Sequence, residues 1–504
     1  MPLINSILKA VYKNRLREIE YFAKHPVETQ ILQLKSLLQK AGDTEFGRKY
    51  GYSEIKNIEE FRNKVPLQKY EELSKIIDRI RKGEQNILWP EKIIWFAKSS
   101  GTTNDKSKFI PVSRESLYKC HYQGGKDTIA IFNRNFPDNR VFSGKTLTLG
   151  GSHQIDNFGY ARSGDLSAIM LQNIPFWYDF IRAPKAKIAL ISNWEEKLSK
   201  LAKATLKQNI TAIAGVPSWN LVMLKYILEF SGKKTLPEVW PGLELFLHGG
   251  VNFAPYREQY KRLIPSENMR YVETYNASEG FFAIQDDLFD QGMLLMLDYG
   301  IFYEFIPLGT YYGKKPKAVH IGEVKTGVNY AIVISTNGGL WRYIPGDTVM
   351  FTSLYPHKIL VTGRTRHFIN AFGEEVIIDN AEKALMAACK ATGALVHEYT
   401  AAPVYMGEKT NGRHEWLIEF ERQPDNLDNF ISTLDKSLMN INSDYEAKRY
   451  NNITLDLPVV RSLKKGTFYK WFSQKGKLGG QNKMPRLSND RKYVEELLKI
   501  ESSI

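Results

Sequence analysis

The chain has 504 residues, and 69 Lys and Arg against 55 Asp and Glu give it a formal net charge of +14. Hydrophobic residues make up 43% and charged residues 25%, which excludes wholesale disorder and low-complexity classes, while the length exceeds the ~250–300 residues at which single cores stop growing. Two cysteines, Cys120 and Cys389, exclude a disulfide framework and a Cys-based zinc or iron–sulfur site, so a reducing cytoplasm fits best.

The N-terminal run is expected to form an amphipathic helix, with Leu8, Val11, Tyr12, Leu16 and Ile19 at three-to-four spacing and Pro26 ending or restarting it. It lacks a signal-peptide pattern, and no stretch approaches the ~20 apolar residues that span a bilayer. A second helical set, Ile31, Leu34, Leu37 and Leu38, precedes Gly42. Residues 93–97 read as a buried strand running into Ser99–Lys108, rich in Ser, Thr and Lys. From there to about residue 290, strand-like runs (146–150, 188–192, 243–250) alternate with helical ones such as 218–230, which indicates a layered α/β domain with parallel sheet. Between 293 and 362, strand follows strand across Gly turns, including 340–347, and an antiparallel, barrel-like subdomain is expected. The register changes after Gly363-Arg364-Thr365-Arg366: a helix over 376–390, strands near 394–400 and 415–420 and a helix near 427–440 form a small α+β domain. The division is therefore 1–366 and 367–504.

Three segments carry chemistry. Ser99-Ser100-Gly101-Thr102-Thr103, with Lys106 and Lys108 following, suits a phosphate cradle of N–H groups, hydroxyls and a cation, and its composition serves an ordinary flexible turn equally well. It is no Walker A loop, and Gly309–Lys315, one residue short of that pattern, reads as a hairpin turn. Ser278-Glu279-Gly280 ends a strand, where a carboxylate suits Mg²⁺ bridging nucleotide phosphates. Asn276-x-Ser278-x-Gly280 also mimics a nucleophile elbow, with Asn in place of the first Gly. Trp341–Asp347 places a carboxylate at a Pro-Gly bend where it can accept bonds from ribose hydroxyls, and Arg364 can reach phosphate or ribose. Lys483 sits in a Gly-rich loop. The basic residues are diffuse, with no recognition helix or aromatic RNA motif, so neither a nucleic-acid nor a membrane partner is expected.

Taken in order, these segments resemble the auxin-responsive-promoter (Gretchen Hagen three) family of acyl-acid amido synthetases, within the adenylate-forming superfamily of acyl-CoA ligases and luciferase. The resemblance runs from Gly42–Gly47 and Arg79-Ile80-x-x-Gly83-Glu84 through Ser99–Thr103 with Lys108-x-Ile110-Pro111, Tyr275-x-x-Ser278-Glu279 and Tyr303–Pro307. It continues through Gly338-Gly339-Leu340-x-Arg342-Tyr343-x-x-Gly346-Asp347, Gly466-Thr467-Phe468 and Gln481-x-Lys483-x-Pro485-Arg486. It implies that ATP and a carboxylic acid form an acyl-adenylate, from which an amino acid's amine displaces AMP. It also implies roles. Ser99, Ser100, Gly101, Thr102, Thr103 and Lys108 cradle phosphate, and Glu279 holds Mg²⁺. Tyr275, Ser278, Asp347 and Arg364 contact the nucleotide, and Gly249, Gly250 and Val251 lie along adenine. Val216, Pro217 and Trp219 wall the acyl pocket, and Lys483 reaches the α-phosphate or acyl carboxylate. Lys106, Lys108, Arg342, Arg364 and Lys483 are the cations expected to serve the anionic substrates. The C-terminal domain is expected to turn about Gly363–Arg366 in a monomeric enzyme. The alternatives are an acyl-CoA ligase on the same fold or a catalytically silent nucleotide-binding homologue.

Overall fold

The computed structural model describes residues 2–99, 108–148, 155–174, 180–191, 194–250, 253, 257–311, 313, 316–365, 368–374, 376–406, 410–452, 454–475 and 484–502. The chain opens with helices Pro2–Lys24 and Pro26–Ala41. Pro26 occupies the first turn of the second helix, where its missing N–H has no partner to lose, and so restarts the run. The second helix buries Leu34, Leu37, Leu38 and Ala41. Its Gln30 amide donates to the carbonyls of Leu297 (2.8 Å) and Ile301 (2.9 Å) and accepts from the Tyr303 N–H (2.7 Å), which ties the helix to the sheet beneath.

Strand β1 (Trp95–Ser99) pairs antiparallel with β2 (Lys108–Val112). Strand β3 (Lys145–Thr148) belongs to a second sheet, while β4 (Asp156–Phe158) and β5 (Ala161–Gly164) complete a four-stranded sheet in the order β2-β1-β5-β4. Strands β6 (Arg182–Ala183), β7 (Ile210–Gly215), β8 (Leu245–Gly249) and β9 (Arg270–Ala277) join β3 in parallel, in the order β9-β8-β7-β3-β6. Seven antiparallel strands follow: β10 (Gly280–Ile284), β11 (Met293–Leu295), β12 (Ile301–Pro307), β13 (Val319–His320), β14 (Asn329–Thr336), β15 (Asp347–Leu354) and β16 (His357–Arg364). They extend from β9 in the order β10-β11-β16-β15-β14-β12-β13, giving twelve strands in one sheet among the described residues. The parallel layer and the antiparallel subdomain are thus both present, joined edge to edge between β9 and β10.

Beyond β16 lie the short pair β17 (Phe368–Ile369) and β18 (Val376–Ile377), then a three-stranded sheet of β19 (Leu395–Val404), β20 (Arg413–Arg422) and β21 (Val459–Leu463). Helices Ile378–Thr392 and Leu427–Ile441 pack on each other and share one apolar cluster with this sheet. One apolar cluster runs from Phe246, Phe253 and Tyr260 of the large domain to Phe372, Trp416 and Leu487 of the small one, so the two share buried surface in this conformation.

Two expectations are corrected, both of them strands. Of the expected strand 188–192, the described residues 188–191 are not a strand: Ala186–Ala189 form one helical turn, as the two alanines favour, with Ala189 and Leu190 buried. Residues 340–346 are no strand either, because Arg342 takes a φ of +43° and interrupts the ladder, leaving Tyr343 in isolated bridges to Gln68 and Ile334. The expected hairpin turn after Pro307 falls in the connection between the antiparallel neighbours β12 and β13, which opens with the helical turn Leu308–Tyr311. Within the expected hinge, Gly363 and Arg364 belong to β16 opposite Thr348 and Asp347, and the Thr365 N–H donates to the Gly346 carbonyl at 2.6 Å. Three of its four residues are therefore tied into the sheet.

Candidate active site

The parallel strands β7, β8 and β9 end side by side, and the carboxyl edge of such a sheet is where α/β folds hold ligands. Glycine is required there. A Cβ on Gly249 would lie 2.3 Å from the Thr274 carbonyl oxygen of the neighbouring strand, so the close approach of β8 and β9 leaves no room for a side chain. Gly250 takes a φ of +82°, and a Cβ there would lie 3.4 Å from Val216 Cγ2. The residues expected along adenine and those expected to wall the acyl pocket therefore adjoin. Pro217 is the buried first residue of the helix Pro217–Ser231, and its carbonyl accepts from the Tyr260 hydroxyl at 2.7 Å.

Ser278 and Glu279 are the two turn residues of the β9–β10 hairpin, between the paired Ala277 and Gly280. Since Gly280 begins an antiparallel strand and not a helix, the strand-to-helix geometry of a nucleophile elbow is absent, and Ser278 is not such a nucleophile. Glu279 is 9% exposed at this turn. Behind it, the buried Tyr275 hydroxyl donates to Asp347 Oδ2 at 2.8 Å, which unites two of the expected nucleotide contacts. Asp347 opens β15 after Gly346, whose φ of +104° makes the bend, and the β15–β16 register sets Asp347 opposite Arg364. The spacing of these two residues is thus that of a hairpin returning on itself. Removing the tyrosine hydroxyl would free the Asp347 carboxylate without deleting it. Tyr275→Phe is expected to raise the KM for ATP about fivefold, the worth of roughly one hydrogen bond, with little change in kcat; steady-state kinetics in ATP reads this directly.

The two ends of the Ser- and Thr-rich segment are described: Ser99 closes β1 and Lys108 opens β2, and the two pair in the four-stranded sheet. At that end of the hairpin the Phe109 N–H donates to the Tyr70 hydroxyl at 2.8 Å, while Lys108 Nζ stands 5.9 Å from the Tyr70 ring. Ser100, Gly101, Thr102, Thr103, Lys106, Val251 and Lys483, and the side chains of Ser99, Trp219 and Arg364, lie outside the described residues. Lys483 is followed by the buried Met484, by Pro485, whose carbonyl accepts from Thr400 Oγ1 (2.6 Å), and by Arg486, whose carbonyl accepts from the Ala401 N–H (2.8 Å). The chain from Pro485 onward is therefore anchored against β19.

Several of the most distinctive sequence segments serve the fold instead. Arg342, expected to meet an anionic substrate, is 5% exposed and bonded through all three nitrogens: Nε and Nη2 donate to Glu304 at 2.8 and 2.9 Å, and Nη1 donates to the carbonyls of Arg62 (3.0 Å) and Val65 (2.7 Å). Gly47 packs so closely that a Cβ would lie 2.0 Å from the Ala41 carbonyl oxygen, and Glu45 pairs with Arg79 through two 2.8 Å bonds. The Glu419 carboxylate accepts from the N–H groups of Gly466 (2.9 Å) and Phe468 (3.2 Å), capping the helix Thr467–Gln474. Conversely, the sequence reading passes over Asn220 and His248, buried polar side chains at the carboxyl edge; the available signal was a polar residue inside the apolar runs 218–230 and 243–248. Among the described residues no group of three or more His, Cys, Asp and Glu side chains could hold a metal, so a divalent ion here would rely on the single Glu279 carboxylate plus phosphate oxygens, a set that suits Mg²⁺. No described helix is long and apolar enough to cross a membrane.

Comparison with known proteins gives matches along nearly the whole chain. Family profiles described as the GH3 family N-terminal domain, central domain and C-terminal domain match residues 15–269, 294–364 and 379–492. Jasmonoyl–L-amino acid synthetase JAR4 of Nicotiana attenuata is 24% identical over 535 residues, covering 90% of this chain and 89% of that protein. Indole-3-acetic acid-amido synthetase GH3.3 of Arabidopsis thaliana is 22% identical over 551 residues, covering 94% and 91%. Among solved structures, the acyl acid amido synthetase AtGH3.15 in complex with 2,4-DB superposes with a TM-score of 0.63 at 17% identity, covering 96% of this chain and 95% of that one. A 2-hydroxyisobutyryl-CoA ligase in complex with 2-HIB-AMP and CoA superposes with a TM-score of 0.57 at 13% identity, covering 94% and 92%. Both share the fold: a large mixed α/β domain followed by a smaller one.

Proposed function

The chain belongs to the GH3 family, and from that premise we propose that it is an ATP-dependent acid–amino acid ligase. In the first half-reaction a carboxylate oxygen attacks the α-phosphorus of ATP; the new P–O bond replaces the bond to pyrophosphate, which leaves. In the second, the amine of an amino acid attacks the acyl carbon, the C–N bond forms, the bond to AMP breaks and the nitrogen gives up a proton. The observation that carries this reading is the Tyr275–Asp347 bond, which joins two separately recognised segments at the carboxyl edge beside the Glu279 turn.

The chemistry assigns the roles. Bringing a carboxylate to a polyphosphate sets two anions against each other, so donors and cations must meet the charge that develops in the transition state. Ser99, Ser100, Gly101, Thr102, Thr103 and Lys108 bind the phosphates, and Lys483 meets the α-phosphate and acyl carboxylate. Asp347, oriented by Tyr275, takes the ribose hydroxyls with Arg364 beside it. Gly249, Gly250 and Val251 lie along the adenine, and Val216, Pro217 and Trp219 wall the acyl group. Glu279 holds Mg²⁺, which supplies charge neutralisation at the phosphates. Residues 1–366 form the adenylating body and 367–504 the cap that carries Lys483. Gly363-Arg364-Thr365-Arg366 is the hinge about which the cap turns. The enzyme works as a cytoplasmic monomer on small-molecule acids and amines.

Carboxylate-dependent exchange of labelled pyrophosphate into ATP, run across a panel of indole, aromatic and aliphatic acids, tests the adenylation step. Exchange that requires both Mg²⁺ and an acid is expected, and no exchange with any acid overturns the reading. The fold shared with a CoA ligase favours one second reading, thioester formation from the same adenylate.

A further inference from the structure

Two polar side chains stand together on the face of β7 and β8 that packs against the helix Pro217–Ser231. Strand register sets Gly215 of β7 beside His248 of β8. Side chains two apart in a strand share a face, so His248 lies with Phe246 and Gly215 with Ile213, both of which belong to the apolar cluster beneath that helix. Gly215 has no side chain, and Asn220 uses the space: its Nδ2 stands 2.8 Å from where a Cβ on Gly215 would be and donates to the Val216 carbonyl at 3.1 Å. The Asn220 carboxamide therefore lies over the position next to His248. That bond also fixes the amide's orientation, since a carbonyl can only accept.

Both residues are sealed from water, Asn220 at 0% and His248 at 2% exposure, and the Phe253 ring stacks on the imidazole at a centroid distance of 4.2 Å. Yet Asn220 Oδ1 and His248 Nδ1 each find no hydrogen-bond partner among the described residues. Buried polar atoms are almost always paired, so each of these two calls for a partner. Their position says which group. His248 directly precedes Gly249 and Gly250, and Val216 adjoins Gly250, so the pair stands behind the wall assigned to the acyl pocket.

We propose that Asn220 and His248 read a hydroxyl group on the acyl acid, remote from its carboxylate, and so make the preferred substrate a hydroxylated carboxylic acid and not a plain hydrocarbon acid. This rests on the acyl-adenylate reading above. A hydroxyl satisfies both atoms at once: its O–H donates to Asn220 Oδ1, and its oxygen accepts from His248 Nδ1–H. Burial, with the nearby Arg257 cation adding to it, pulls the imidazole pKa down to about 3, so the ring is neutral at physiological pH and carries the single proton this arrangement needs. An all-hydrocarbon acid would leave both atoms desolvated and unpaired, the situation that lets a hydrogen-bonding pocket reject an analogue lacking its hydroxyl.

The test uses the native protein and pairs of acids that differ by one hydroxyl: para-hydroxybenzoate with benzoate, para-hydroxyphenylpropanoate with phenylpropanoate, and an ω-hydroxy fatty acid with its parent. The readout is kcat/KM for acid-dependent pyrophosphate exchange. The hydroxylated member of at least one pair is expected to be preferred by about tenfold or more, and Asn220→Leu is expected to collapse that ratio towards one. The ratio compares two acids on one preparation, so it does not depend on how much of a variant folds. Equal use of both members in every pair, or preference for the hydrocarbon members, overturns the inference and leaves adenylation standing. Absence of exchange with every acid overturns the adenylation reading and this inference with it.

Discussion

Glu304→Ala is expected to destabilise the protein by about 3–5 kcal/mol, the loss seen when one member of a buried ion pair is removed. Glu304 is 1% exposed in β12 and lies between two arginines, accepting two bonds from Arg342 and one from Arg62 Nε at 3.2 Å. Alanine would leave two guanidinium groups facing each other, with the remaining donors of Arg342 still held by the carbonyls of Arg62 and Val65. The triad fastens the helix Ile58–Lys64 and the segment that leads to Asp347 onto the antiparallel part of the sheet. A fall in the midpoint of the first unfolding transition in urea checks it. A change below about 1 kcal/mol would show that the triad is not holding the fold.

Lys483→Ala is expected to lower carboxylate-dependent pyrophosphate exchange by about 10²–10³-fold while leaving the protein folded, because a charge-stabilising donor acts where charge develops. Folding should survive the change, since the anchors on the C-terminal side of the loop are Met484, the Pro485 carbonyl and the Arg486 carbonyl. Unchanged exchange would remove Lys483 from the adenylation step. A loss confined to amide formation, with exchange intact, would move its role to the second half-reaction.

Apolar runs made most of the elements legible in the sequence. Helices Pro217–Ser231 and Leu427–Ile441 and strands β8, β12, β14 and β16 stand out by the length and apolar content of their runs, whereas 188–192 is too short to distinguish one helical turn from a strand. Strand β21 went unread because it pairs in parallel with β20 across an intervening pair of helices, a partnership no local pattern encodes. The site was legible as a set of segments and not as an arrangement. Nothing local announces that Tyr275 and Asp347, 72 residues apart, share a hydrogen bond, or that Ser278 and Glu279 form a hairpin turn. Arg342 shows the converse: in a motif that ends on Asp347 its charge suggests a substrate contact, and only the fold discloses Glu304 as its partner. Asn220 and His248 were invisible for a related reason, since a polar residue inside an apolar run is informative only when its missing partner is known.

Amide formation from an acyl-adenylate is the central claim, and one competition experiment tests it most directly. The protein is incubated with ATP, Mg²⁺, an accepted acid, CoA and pooled amino acids at equal concentrations, and all products are identified by mass. An acyl–amino acid amide and AMP in equal amounts, with no thioester, is the predicted result; an acyl-CoA thioester in place of the amide, or ADP in place of AMP, would contradict the account.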